Sequence, residues 1–550
     1  MSFTLLFRRV RFHPVAALLT AFAFVHHAML MRAPTNDNFM HLALARQLMA
    51  GDLPIRDFFD SGLGLTYVLS AVAESIVGYR LLSEALLVGF AWALSTWLVF
   101  TLVRRLTGST IAATLSAVLL VVASPRGYSY PKGIVYAVAA TLWWAYAAKP
   151  TTARLAALGA WVAVAFYWRP DHGMYVAAGV VLALIATHGF RPRTVSRCVV
   201  AGGVTLALVA PFLVYAQVVD GLPDYVRAEI AQSVYENNRA GGHKWPLTDL
   251  PDRFLRLDAH TRASEMTAAL FTWLPVLAIV IAVTPLRRRL PGIGSGASLG
   301  AFALFTVVVD VGLLRTPFDV RAVDAVVLPA VLFGCCLAAL IVVARAGAGI
   351  GRWSSAVAAT ALVVVGVQSV AGAGGFTRHV EWIGQLVAAD GWPGAFRELI
   401  TTPPVDNFRD RPADASIRFA EYVRTCVPRN DRILVLWFAP EIYYYADRLM
   451  ASRHAVFVTN WAALPHEQDA TLRKIARYKP PIALARRAAL EAYTREAFPR
   501  VVDYVNREYS VAATVDDYPG EQYLVLTRND RTPLGEYGSR RWPCYTPPQP

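Results

Sequence analysis

Long apolar runs separated by short polar breaks dominate the chain from residue 14 to about residue 373. Runs of this kind cross ~30 Å of hydrocarbon as helices. We place them near 14–31, 81–103, 110–124, 133–148, 155–168, 174–188, 198–216, 267–284, 297–313, 324–344 and 353–373. The pattern then changes. Residues 401–414 (TTPPVDNFRDRPAD) are rich in proline and aspartate and read as a linker. Beyond them the apolar runs are strand-length. RILVLWF (432–438) reads as a buried strand, and Pro440 and Glu441 open a helix through about Arg448. PPIALARR (480–487) reads as a second strand entering a helix, and VAATVDD (511–517) with QYLVLTR (522–528) as a hairpin around Tyr518-Pro519-Gly520. The tail RWPCYTPPQP reads as irregular. The expected fold class is a polytopic α-helical membrane protein, with about 11–12 transmembrane helices and a small C-terminal α/β domain. The expected boundaries are a membrane part at 1–373, a linker at 374–414 and a soluble domain at 415–550.

Charge orients the spans. One set of connections holds Arg8, Arg9, Arg11, Arg104, Arg105, Lys149, Arg154, Arg191, Arg193, Arg197, Arg287, Arg288, Arg289, Arg345 and Arg352, with no acidic residue among them. Within residues 1–373, nearly all the Asp and Glu lie in the alternate set, 32–80, 125–132, 169–173, 217–266 and 314–323. Positive loops stay cytoplasmic, so the N-terminus is expected inside and residues 374–550 outside an inner (plasma) membrane crossed many times. Residues 64–80 (GLTYVLSAVAESIVGYR) disturb this count. A full crossing there would turn every arginine cluster outward, so they read as a helix at or dipping into the outer surface; a twelfth span is the alternative.

Composition agrees with a membrane protein. Hydrophobic residues make up 55% and charged residues 17% of the 550 positions, far from a disordered chain or an ordinary cytosolic enzyme. The net charge of +14 is largely topological and calls for no nucleic acid. Five cysteines (198, 335, 336, 426 and 544) show no CxxC spacing. Cys426 and Cys544 share the polar C-terminal part, where both a bridge and two free thiols are open. The C-terminal domain has no GxGxxG, P-loop, HExxH or GxSxG, and the sequence calls for no cofactor and no metal.

The conspicuous polar groups cluster at the expected outer ends of the spans. Asn36-Asp37-Asn38 opens an amphipathic helix that Gly51 stops. Asp37 reads either as its N-cap or as a general base held at the membrane surface. In Arg56-Asp57-Phe58-Phe59-Asp60, two carboxylates three apart share a face if the segment is helical; otherwise it is a solvated loop. Arg126, Tyr128, Tyr130 and Lys132 suit a phosphate headgroup, or form an interfacial belt. Trp168-Arg169-Pro170-Asp171-His172 carries a cation, a carboxylate and an imidazole, or a simple Arg169–Asp171 pair. Arg315, Asp319 and Arg321 repeat the mix, and YENNRAGGHKW (235–245) offers a flexible wall. Nucleotides are scarce on that side of a membrane, so a group donor there must be lipid-borne or otherwise pre-activated.

The stretch NDNFMHLALARQLMAGDLPIRDFFDSGLGLTYVLSAV (36–72) resembles the GT-C superfamily of membrane glycosyltransferases. The likeness is to bacterial members related to aminoarabinose transferases and protein O-mannosyltransferases. In both, an Asp after the first span leads into a juxtamembrane helix, a Gly and a polar segment before an embedded helix. APEIYYYADRLMASR (439–453) resembles their extracytoplasmic domain. The resemblance implies inverting transfer of a sugar from a polyprenyl-phosphate donor to a glycan, lipid or protein acceptor outside the cytoplasm. It implies Asp37 as general base, Arg126, Lys132 and Arg169 beside the lipid phosphate, and Asp57 and Asp60 on sugar hydroxyls. Asp171 and His172 then support the phosphate site. Two rival readings remain at this stage. Asp37-Asn38, where the family often has Asp-Glu, leans toward a non-catalytic assembly factor for envelope polysaccharide. A lipid or polysaccharide transporter is the other, but most spans lack charged groups at mid-membrane.

Overall fold

In the computed structural model the described residues are 13–31, 36–60, 62, 64–123, 132–239, 259–313, 325–346, 349–372, 384, 387–388, 391–401, 415–457, 464–518 and 521–547. They form two compact units, each discontinuous in sequence.

The first unit comprises 1–29, 88–210 and 240–392. Each apolar run falls on a helix. In chain order these are α1 (Pro14–Leu30), then α4 (Leu81–Thr107), α5 (Thr110–Ala123), α6 (Lys132–Ala148), α7 (Thr152–Trp168), α8 (Pro170–His188) and α9 (Pro192–Val219), with Leu30 and residues 81–87 and 211–219 counted in the second unit. After them come α11 (Ala259–Val283), α12 (Gly296–Leu313), α13 (Val327–Ala346) and α14 (Ile350–Gly372). The shorter α2, α3 and α10 belong to the second unit. Among the described residues five helices are long and apolar enough to cross a membrane: α4, α8, α9, α13 and Ile350–Val367 of α14.

Helix α13 is the centre of this unit. It is apolar all round, and every residue from Val327 to Ala339 is buried. It packs on α5, α6, α11 and α14. Gly334 makes one of these contacts possible, because a Cβ there would strike Ser116 and Val103. Helix α9 is the opposite case. Val195, Val199, Leu206 and Val214 leave its apolar surface open, which suits hydrocarbon rather than water.

The second unit comprises 30–87, 211–239 and 393–550. It holds α2 (Asn36–Met49), α3 (Gly64–Val77), α10 (Leu222–Arg239), α15 (Gly391–Ile400) and the whole C-terminal stretch, apart from the first residues of α15. Helix α3 ends at Gly78, whose φ of 91° is a left-handed conformation suited to glycine. Its 14 residues span only ~21 Å, short of a full crossing. Its pattern is inverted: Tyr67, Ser70 and Glu74 point inward, while Val68, Val72 and Ile76 are exposed. An apolar outer stripe over a polar inner one is the pattern of a helix lying in an interface.

The C-terminal stretch runs α16 (Ala415–Cys426), β1 (Leu434–Val435), α17 (Glu441–Ala446), α18 (Pro465–Tyr478), β2 (Ile482–Arg486), α19 (Pro499–Glu508), β3 (Tyr509–Tyr518) and β4 (Glu521–Arg528). The sheet order is β1-β2-β4-β3, with β1 and β2 parallel and the other pairs antiparallel. The strands read from the sequence are there, including the β3–β4 hairpin. Alternation sets the two faces. Leu434, Ala483, Ala485, Leu524 and Leu526 meet Ile475 of α18 and Val501, Val502 and Val505 of α19. On the other face Tyr523 and Trp437 pack around Phe419 of α16.

The tail differs from expectation. Rather than irregular chain, it forms β6 (Trp542–Cys544), paired with β5 (Gly535–Tyr537). Trp542 stacks on Phe419, and Cys544 is bridged to Cys426, so packing and a covalent tie order a proline-rich segment. The bridge closes 118 residues of sequence. Replacing both cysteines with serine should therefore cost ~2–4 kcal/mol in chemical denaturation of the C-terminal stretch. An unchanged midpoint would show that packing alone holds the tail.

Candidate functional site

Helix α2 carries the first candidate at one end and a set of ion pairs at the other. It begins at Asn36, so Asp37 occupies its first turn rather than the N-cap. A carboxylate there faces the partial positive charge of the helix N-terminus, worth ~0.3–1 kcal/mol. Asp37 is half-buried and Asn38 fully buried, its amide 3.8 Å from Met31 Sδ. Phe39 packs on Tyr444 and Tyr445 of α17, with centroids 5.5 and 5.1 Å apart. At the far end Arg46 donates to Glu74 of α3 (3.2 Å) and to Asp447 (2.6 Å) and lies over the Tyr79 ring. Gln47 accepts from Arg432 at 2.9 Å. Gly51, at a φ of 88°, ends the helix as expected.

The loop after α2 is held by the C-terminal stretch. Asp52 accepts two bonds from Arg432 (2.6 and 3.1 Å) and one from Lys474 (2.9 Å). All three side chains are buried, and Arg432 also lies 3.8 Å from the Tyr478 ring centroid. Lys474 donates to the Asp57 carbonyl at 2.8 Å, and Arg453 donates to the Ile55 carbonyl. Ile55 itself has a φ of 67°, a conformation β-branched residues rarely adopt and one that costs ~1–3 kcal/mol. Its side chain is buried with Ala216 and Tyr225, and the Tyr215 hydroxyl bonds the neighbouring Pro54 carbonyl at 2.5 Å.

Of the two readings open for this segment, helical face or loop, the structure has a loop: residues 54–60 form turns with no helix, and Asp57 and Asp60 take different partners. Asp57 Oδ2 accepts from Leu53 N and Arg56 Nε, both at 2.8 Å. Asp60 is buried and accepts from the Tyr67 hydroxyl of α3.

Burial alone would raise the Asp52 carboxyl. The hydrogen bond from Arg432 and the charge of Lys474 outweigh it and hold the group below the ordinary carboxylate value. Burial, reinforced by Arg432 and opposed by Asp52, lowers the Lys474 ammonium to about 8. Burial, with Arg453 and Lys474 adding to it, pushes the His454 imidazole down to about 3.

In the first unit, α6, α7 and α8 assemble a second polar cluster. Lys132 is buried at the start of α6. Arg169 sits at the N-cap of α8, ahead of Pro170, and its Nε donates to Asp171 at 2.6 Å. Asp171 also accepts from His172 N at 2.8 Å, and the charge of Lys132 acts on it. His172 is buried, with Nδ1 bonded to the Tyr136 hydroxyl of α6. Arg126, Arg315, Asp319 and Arg321 lie outside the described residues.

Among the described residues one group has metal-donor spacing: Asp220, His466 and Glu467, with donor atoms within 4.8 Å of one another. Arg453 lies 3.1 Å from Glu467, so a guanidinium already supplies positive charge there.

No family model matches this sequence, and no curated protein matches it. Solved structures do. ArnT from Cupriavidus metallidurans bound to undecaprenyl phosphate matches with a TM-score of 0.51 over 92% of this chain and 97% of that one, at 14% identity. The same protein in the apo state gives a TM-score of 0.50, with the same coverage and identity. The chain has the ArnT fold. This is the GT-C-like architecture implied by residues 36–72, now seen across nearly the whole chain.

Sequence reading missed Asp52, Arg432, Lys474 and Arg453. Each is one charged residue in an ordinary setting: after a glycine, before a strand, on a helix face. No local signal marked them: Arg432 even follows Asp431 directly, so nothing in the sequence shows that its partner is Asp52.

Asp52→Asn should leave two buried cations uncompensated and cost ~3–5 kcal/mol by thermal or chemical denaturation. Acid should act in two stages. Folded His454 stays neutral down to about 3 while its unfolded form protonates near 6.5, so stability falls as pH drops below 6.5. Asp52 contributes above its ordinary carboxylate value, and that contribution is lost as pH falls through its lowered folded value. A His454→Phe variant should lose the first stage only. Melting temperatures from pH 8 to 3 check both.

Proposed function

We propose that this chain is an integral membrane glycosyltransferase, moving a sugar from a polyprenyl-phosphate-linked donor to an acceptor outside the cytoplasm. The observation that carries the reading is the full-length fold likeness to ArnT, one of whose structures has undecaprenyl phosphate bound. The reaction would be inverting. Asp37 takes the proton of an acceptor hydroxyl as that oxygen attacks the anomeric carbon. The anomeric C–O bond to the lipid phosphate breaks on the opposite face, and polyprenyl phosphate leaves. Its first-turn position beside a helix N-terminus favours the carboxylate form a base requires.

Arg126, Lys132 and Arg169 are the proposed cations for the departing phosphate. Lys132 is buried, so its charge acts through low dielectric. Arg169 is shared with Asp171, which holds the guanidinium in a fixed direction, and Tyr136 does the same for His172. Asp57 spends only Oδ2 on its own loop, which leaves Oδ1 for a sugar hydroxyl. Asp60 braces the segment against Tyr67 and is the second proposed sugar contact. The Cys426–Cys544 bridge beside free Cys198, Cys335 and Cys336 supports an oxidising compartment for the C-terminal stretch.

Asp37→Asn should abolish sugar release from a radiolabelled polyprenyl-phosphate sugar offered with crude envelope acceptor. The loss should be ~10²–10⁴-fold, with a stability change within ~1 kcal/mol. Transfer above ~10% of wild type would exclude Asp37 as the base; carrier binding without turnover in the wild type would point to an assembly factor. Arg169→Ala should weaken carrier binding or leaving-group departure, with ~10²-fold lost in rate. For topology, cysteines at positions 171, 237 and 500 should label in intact cells, and those at 105 and 288 only after permeabilisation. Labelling of 171 only after permeabilisation would make residues 64–80 a full span.

A further inference from the structure

Asp37 and Gln47 are ten residues apart on one helix, ~15 Å along its axis. Over that lever a tilt of ~4° moves the Asp37 end by ~1 Å. Misplacement by 1 Å costs ~10²-fold when a reacting group must meet its partner in one geometry. What fixes the far end of the helix therefore fixes the base. The fixing groups come from the C-terminal stretch: Arg432 on Gln47 and Asp52, Lys474 on Asp52 and the Asp57 carbonyl, and Asp447 on Arg46.

We infer that Arg432 and Lys474 are positioning residues for Asp37, holding the C-terminal end of α2 and the strained loop behind it so that the carboxylate at the other end stays in register with its substrate. The inference rests on Asp37 being the base of the proposed transfer.

Three features favour a positioning role over simple adhesion. Both cations meet the same carboxylate, so Asp52 is held from two directions rather than pivoting on one bond. Arg432 bonds the helix and the loop with one guanidinium, coupling their motions. The loop they hold contains Ile55 at positive φ, which would relax if released.

Lys474 supplies a readout that adhesion would not share. The charged and titratable groups around it are Asp52 and Asp57 from the loop, Arg432 ahead of β1 and His454. On the α19 side, Arg500 is paired with Asp469 instead. With a folded value of about 8, Lys474 loses its proton as pH rises through that value, and the Asp52 contact loses its charge. Because the unfolded lysine keeps its proton up to 10.5, this deprotonation raises rather than lowers stability between the two values. Activity and this residue's contribution to stability thus move in opposite directions.

The test uses full-length protein in detergent and a polyprenyl-phosphate sugar donor, with kcat and KM measured from pH 6.5 to 9.5. Wild-type transfer should fall as pH rises through about 8, without a matching fall in melting temperature. Lys474→Arg should keep activity and move the alkaline limb above pH 9.5, because arginine stays charged. Lys474→Met should lower kcat ~10–100-fold below pH 8, with the gap to the wild type narrowing toward pH 9.5 and KM for the lipid donor changed less than ~2-fold. Hydrogen exchange at one fixed pH should be faster over residues 36–49 in Lys474→Met than in the wild type. An alkaline limb unchanged in Lys474→Arg, or unaltered exchange over residues 36–49 in Lys474→Met, overturns the inference. Transfer that survives Asp37→Asn overturns instead the assignment of the base, and the exchange result still decides whether the clamp reaches the helix.

Discussion

A carboxylate held in a nearly dry site by two cations is costly to build and costly to break. Asp52 is such a group. Each of Asp52, Arg432 and Lys474 gives up hydration, and their attraction repays it only because the geometry satisfies several hydrogen bonds at once. Such a cluster contributes little net stability compared with apolar packing, but it tolerates few alternative arrangements. That explains why it serves to fix a register. It joins Asp52 to residues 380 and 422 positions later within the second unit.

The loop it anchors uses the same currency elsewhere. Ile55 adopts a conformation that costs energy, and the surroundings meet that cost from three sides: Arg453 and Tyr215 on the backbone, and apolar packing on the side chain. Helix α3 follows directly, polar inward and apolar outward, with Tyr67 reaching back to Asp60 and Glu74 meeting Arg46. A helix whose buried face is its polar face suits an apolar outer medium.

The first unit follows different physics. Its central helix α13 has no polar face to orient, and its position is set by volume, with Gly334 admitting Ser116 and Val103. The polar groups gather at helix ends. The pairs Arg169–Asp171 and Tyr136–His172 lie at the start of α8, where backbone N–H groups are unsatisfied and a charged turn costs least.

How much of this was legible from the sequence depends on the range of the interaction. Span length, loop charge and strand alternation act within about twenty residues, so the apolar helices, the sheet and the β3–β4 hairpin could be read directly. The layout of residues 36–72 carried the fold resemblance for the same reason. Asp57 and Asp60 stayed open between a helical face and a loop, because the contacts that hold the loop, Arg453 on the Ile55 carbonyl among them, come from 398 positions away. The tail was misread because its order comes from Cys426 and Phe419, more than a hundred residues away. The partners of Asp52 were invisible for the same cause. Local propensity and solvent partition are properties of a segment and are written in it; a buried charge has no preferred partner until folding removes its water, and only the tertiary structure then decides which charge it meets.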